Sequence, residues 1–290
     1  MITDALKRTI AAQIRQMTGS ARGLDAFLLP AGDPGLFGPQ SVTWQVHAHF
    51  VSMLVGGLSS LIIQAMHPGA LAGVWDHSSF RHDLKARLGR TAYFIAATTY
   101  GGSVMAQRAL DHVNHIHAGV TGTRPDGIHY SARDPHLLKW VHLAEILSFL
   151  NAYRQHGDPS LPLFAQNQYI HEMARIGHAL GATDLPERLD EAQTMLFAYR
   201  QELVFDDRVR EVVSLIEHFP ARLQDRPFVK LIVQAAFQTL PDWVLEKMQR
   251  RPDPRWLIEL NRQSLALVSR PINWTLASHG VAAFAKQRLS

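Results

Sequence analysis

Apolar residues recur every three to four positions along almost the whole of this 290-residue chain, and no stretch alternates convincingly with period two. Such spacing gathers apolar side chains onto one face only when the backbone is helical. Helices are expected near 3–18, 41–66, 68–75, 83–100, 103–121, 134–156, 163–180, 187–202, 206–218, 226–249 and 256–286. Pro and Gly punctuate them in the 28–39 loop, the 121–127 turn and the 157–162 link, and at Pro186, Pro220 and Pro271. No repeat, low-complexity tract or long linker divides the run. The expectation is an all-α fold in which residues 1–290 form a single globular multi-helix domain. Thirteen Phe and six Trp supply material for its core.

Residues 1–23 lack the uninterrupted apolar stretch of a secretory signal, so a cytoplasmic location is expected. Leu6, Ile10, Ile14 and Met17 instead recur at near-helical spacing, with Lys7, Arg8 and Arg15 elsewhere around the wheel. That is an amphipathic helix, docked on the protein body or lying on a membrane surface. The longest apolar run, 51–66, is shorter than the ~20 residues a bilayer span needs and is interrupted by Gln64. It reads as a buried core helix, with no transmembrane segment. A net charge of +4 without a long basic block gives no reason to expect a nucleic-acid partner.

The chain has no Cys, which excludes disulfides, thiolate metal sites, iron–sulfur clusters and a Cys nucleophile. It has sixteen His, so the chemistry turns on what those imidazoles do. In AQRALDHVNHIHAGV, helical spacing puts Ala109, Val113, Ile116, His117 and Val120 on one apolar stripe, so His117 is expected among core residues. His115 is rotated by roughly 200° from it and cannot share a ligand with it. A core imidazole needs a partner, and a backbone carbonyl or a metal would each serve. On the preceding helix Arg87, Arg90, Thr91 and Phe94 share a face. It could hold a carboxylate-bearing cofactor or position dioxygen, or simply be solvated. His67 in AMHPG falls at a helix junction set by Pro68, Asp76 and His77 follow in VWDHSSF, and His142 lies in KWVHLAEILSFL with Glu145 one turn on. A satisfied structural role is open to each.

Other metal chemistries find little support. No Glu has a His three residues later, as a di-iron bundle would need. HExxH, GxSxG, P-loop and GxGxxG motifs are absent. His82-Asp83 is the dipeptide of helical metal phosphohydrolases, but a single dipeptide is weak. The pair His47 and His49 would suit a strand, whereas its surroundings are helical. One axial His in a Cys-free helical chain is compatible with heme, because the porphyrin supplies four of the ligands.

The segments FGPQSVTWQVHAHF, QAMHPGALAGVWDHSSFRHD, RLGRTAYFIAATTYG, VNHIHAGVTG and YSARDPHLLKWVHLAEILSFLNAY occur in this order. Together, over about residues 36–250, they resemble the MpaB-type oxygenase family, which includes the latex-clearing rubber oxygenases and many short bacterial proteins. The resemblance implies a globin-reminiscent helical fold, heme b, dioxygen chemistry and a hydrophobic small-molecule substrate. It implies His117 as axial ligand to the heme iron, and Arg87 and Thr91 near the heme. Where the rubber-cleaving members carry a Lys that can approach the iron, this chain has Arg90, which stays protonated and is no ligand. Arg90, Asp76 and His77 are further candidates for polar or acid–base roles, with His67 and His142 supporting the cofactor. Two other readings are a non-catalytic heme- or lipid-binding helical protein and a metal phosphohydrolase built on His82.

Overall fold

The computed structural model describes residues 7, 11 and 23–290. It is a single, mostly helical domain whose centre is one antiparallel-looking pairing of long helices, α2 (Phe50–Ala65) on α6 (Pro135–His156). The approach is close because of Gly56. A Cβ there would lie 2.8 Å from Phe149 Cδ1 and 2.9 Å from both Phe149 Cα and the Ser148 carbonyl. Around this pair the main core gathers Val51, Val55, Ile62, Trp140, Leu143, Ile146 and Leu150. Further layers on it come from α9 (Asp207–Glu217), α10 (Arg226–Gln238) and α12 (Arg255–His279), all touching α2.

The remaining elements complete the domain around this pair. Helix α1 (Val42–Ala48) leads into α2, α3 (Pro68–His77) follows it, and α4 (Leu84–Tyr100) and α5 (Ser103–Gly119) are joined through Gly101–Gly102. After α6 come α7 (Leu163–Ala179) and α8 (Leu189–Ala198), while α11 (Asp242–Lys247) and α13 (Val281–Arg288) flank α12. A 3-10 turn at Leu24–Leu28 is tied to the C-terminus by buried Arg288, which donates to the carbonyls of Phe27, Asp33 and Tyr100.

Several boundaries differ from the spacing-based expectation. The single helix expected at 41–66 breaks at His49, which is extended, and its two parts meet at 91°. The His49 ring accepts from the Ser52 N–H and so caps the second part. The 226–249 helix is divided at Leu240–Pro241, and the C-terminal one at Gly280, not at Pro271. The 121–127 turn belongs to a two-stranded antiparallel hairpin, β1 (Thr121–Thr123) with β2 (His129–Ser131), in the register Gly122 to Tyr130. Of the helix expected at 3–18, all but residues 7 and 11 lies outside the described residues. Lys7 and Ala11 are helical, and Ala11 is buried.

Among the described residues no single helix is long and apolar enough to cross a membrane, and α1 with α2 reaches that length only as the bent pair.

Candidate active site

On α6, Leu138, His142 and Glu145 follow at four and three residues and therefore share a stripe. This stripe faces the C-terminal end of α7, where two glycines let the helices close together. A Cβ on Gly177 would lie 3.1 Å from Cδ2 and Cε1 of the His142 ring, and one on Gly181 would lie 3.4 Å from Leu138. An open cleft of about 390 Å³ starts at Leu138 and is bordered by Asn114, Arg133, His178 and Gly181. Helix α5 reaches its rim, because Asn114 donates to the Ala179 carbonyl at 2.9 Å. His117 follows one turn later, close enough to Arg133 to feel its charge.

Two imidazoles here, those of His117 and His142, are held neutral. Burial, and then the positive charge of Arg133, lower the pKa of His117. Burial, and then His178, push His142 down to about 4. A neutral imidazole has one lone pair to offer a metal or a proton. His117 Nδ1 and His142 Nε2 are both buried without a hydrogen-bond partner, a state that costs about 1–3 kcal/mol per group. Glu145 has its carboxyl pushed up to about 7 by burial, and no hydrogen bond or ion pair reaches it among the described residues. Its charge also raises the pKa of Tyr169, after the larger effect of that phenol's own burial. Tyr169 in turn completes a satisfied chain, with its hydroxyl 3.1 Å from His47 Nε2 and Thr99 Oγ1 2.8 Å from His47 Nδ1.

His117 does not sit in a closed core. Its stripe neighbour Ile116 is 48 % exposed, and Ala109, Val113 and Val120 are only half-buried. The spacing groups these residues on one face, but that face is covered only in part: Val120 packs against Ala72, Tyr130 and Leu137, while Ile116 is left open. Arg87 is half-buried, 5.6 Å from the Phe80 ring centroid, and its pKa is lowered to about 10 by burial and by Arg90, so it remains a cation at neutral pH. Arg90 and Thr91 are exposed, and the Thr91 hydroxyl bonds back to the Arg87 carbonyl. Arg87 lies fourteen residues before Gly101 and His117 fifteen after Gly102, so each is about 20 Å along its helix from the turn. No hydrogen bond or ion pair joins them among the described residues.

The other candidates lie elsewhere. Asp76 accepts from the Tyr130 hydroxyl at 2.6 Å, and His77 bonds the Thr121 carbonyl, so both clamp the β-hairpin onto α3. Asp83 caps α4 by accepting from Ala86 N–H, which engages the carboxylate of the His82-Asp83 pair. His67 is buried and belongs to a cluster that the spacing of residues did not indicate. Glu202 Oε2 lies 3.2 Å from His67 Nε2 and 2.8 Å from His136 Nε2. Three such groups could hold a metal. However, His67 Nδ1 accepts from Gly69 N–H as the cap of α3, so its proton is on Nε2 and points at Glu202. A hydrogen-bonded junction between α3, α6 and the turn after α8 accounts for that geometry.

Residues 44–270 match the family described as ER-bound oxygenase mpaB/B′/Rubber oxygenase, catalytic domain, and the chain belongs to that family. No curated protein and no solved structure matches the chain.

Proposed function

We propose that this oxygenase uses heme b with dioxygen to oxidise a hydrophobic small molecule. The observation that carries the reading is His117, a neutral imidazole with a buried, unpartnered nitrogen, set on an α5 face that the described residues cover only in part. An apolar face beside one available imidazole fits a porphyrin, and Arg87 and Arg90 on the neighbouring helix are cations suited to its propionates. When bound, the heme would bind and activate dioxygen.

The chain's own residues then have distinct roles. His117 would be the residue that holds the heme. Arg90 would not hold it through the iron, because a guanidinium keeps its proton. Arg87, half-buried and cationic, would pair with a propionate, with Thr91 beside it. Glu145, whose carboxyl titrates near neutral pH, can hold or release a proton at its Oε atoms next to His142. The open cleft beside Leu138 would be the route by which substrate enters.

The test is an absorption spectrum of the protein produced with heme supplied. A Soret band is expected in the wild type and in His77→Ala, and its loss is expected in His117→Ala. A stable, colourless wild-type protein would overturn the proposal.

A further inference from the structure

Helix α12 carries its large apolar residues on two sides. Leu265 is buried against the body, but Trp256, Leu260, Leu267 and Trp274 are 67, 54, 67 and 43 % exposed. With about 100° per residue these four fall within a narrow arc of one face, and they extend along about 27 Å of helix. Isolated exposed apolar residues are ordinary, whereas four aligned on one helix face, even with Gln263 among them, mark an interaction surface. The row has a Trp near each end, and its charged neighbours are mainly cations. Helix α12 contains Arg255, Arg262 and Arg270 and a single acid, Glu259, which Arg262 engages at 2.6 and 2.8 Å. Arg255 and Arg270 have no acidic partner among the described residues. Arg262 and Arg270 line a shallow depression together with Leu267. Lys7 adds a further cation, its Nζ 4.3 Å from the Trp274 ring centroid.

We infer that α12 is an in-plane anchor that lays this face on the surface of an anionic phospholipid bilayer. Trp and Leu would enter the boundary between headgroups and acyl chains, and the arginines would meet lipid phosphates. Pro271 fits this placement. It removes one helix hydrogen bond and leaves the Leu267 carbonyl on the exposed side, where interfacial water and headgroups can satisfy it. A second copy of the chain would set one net-positive face against another, whereas anionic lipid neutralises it. The inference stands on α12 alone and holds whatever cofactor the domain carries.

Vesicle co-sedimentation of the full chain tests it, using phosphatidylcholine vesicles with and without phosphatidylserine. Binding to the anionic vesicles is expected, weakening as salt rises. The double variant Trp256→Ser, Leu267→Ser should bind about tenfold or more weakly, since two apolar anchors are lost. Arg255→Gln with Arg270→Gln should abolish the preference for anionic vesicles, and this exposed pair carries the test if the first variant fails to fold. A wild type that stays in the supernatant, or an arginine variant that keeps the preference, overturns the inference. So does a lipid-free dimer in sedimentation velocity that Leu267→Ser dissolves, which would make the face an interface between copies.

Discussion

At position 56 there is no room for one methyl group. The atoms a Cβ would strike include the α6 backbone, which cannot rotate away as a side chain could. Gly56→Ala is therefore expected to destabilise the fold by about 1–3 kcal/mol through overpacking, read as a lower urea midpoint. Gly119, with nothing within 4 Å of a Cβ, is the matched control and should tolerate Ala. An unchanged midpoint for Gly56→Ala would show that α2 and α6 can separate without cost. Single residues also mark how far the sequence could be read. The spacing around His117 correctly put it with Val113 and Ile116, because side chains three and four apart must share a face. It could not say what covers that face, since apolar residues are needed equally against a core and against a ligand. The sequence placed Glu145 one turn after His142, but its shifted carboxyl was not legible there for a related reason. A Glu on an amphipathic helix looks solvated until the neighbouring helices are in place, and its shifted carboxyl belongs to those neighbours.

Elements tell the same story with different physics. Some helix starts follow from local chemistry, as with Asp83 and Asp206, whose carboxylates accept backbone N–H groups at the first turn. The break at His49 had no such warning, because neither Pro nor Gly stands there and the cap is an imidazole. The hairpin at β1 and β2 escaped notice because three-residue strands are too short to show alternation. The converse case is Pro271, a breaker that the exposed side of α12 accommodates. Placement of α5 rests on few ties, and Asn114 is the one at the cleft. Asn114→Ala removes its hydrogen bond to α7, worth about 0.5–1.5 kcal/mol. The expected outcome is faster amide exchange confined to residues 103–119, with a nearly unchanged global melting temperature. Unaltered exchange there would mean that Asn114 does not hold the rim of the cleft.

The whole molecule should respond to acid in a defined direction. Burial holds His47 at about 3, and holds His142 and His156 at about 4, against an ordinary value of 6.5. Below 6.5 the unfolded chain takes up protons that the folded chain refuses, so stability falls as the pH drops from 6.5 towards 4. Glu145 has the opposite sign. Its pKa is raised from 4.5 to about 7, so the folded chain keeps a proton that the unfolded chain releases. That contribution is present below 4.5 and is lost as the pH rises to 7. With three imidazoles opposing one carboxyl, the urea midpoint at pH 5 is expected to lie below that at pH 7. A midpoint that stays level or rises on acidification would contradict the neutral burial of these His residues.

The central position of α2 also sets an order of events during synthesis. Its sixteen residues leave the ribosome early, yet the helices that shield them end at His156 for α6, at Gln238 for α10 and at His279 for α12. At about 5–20 residues per second, the last of these emerges roughly 10–45 s after α2 is complete. For that interval the most apolar helix of the domain has only nascent chain and solvent around it. The contact that gives the finished protein its core is thus, for the growing chain, the longest period of exposure to aggregation and chaperone capture.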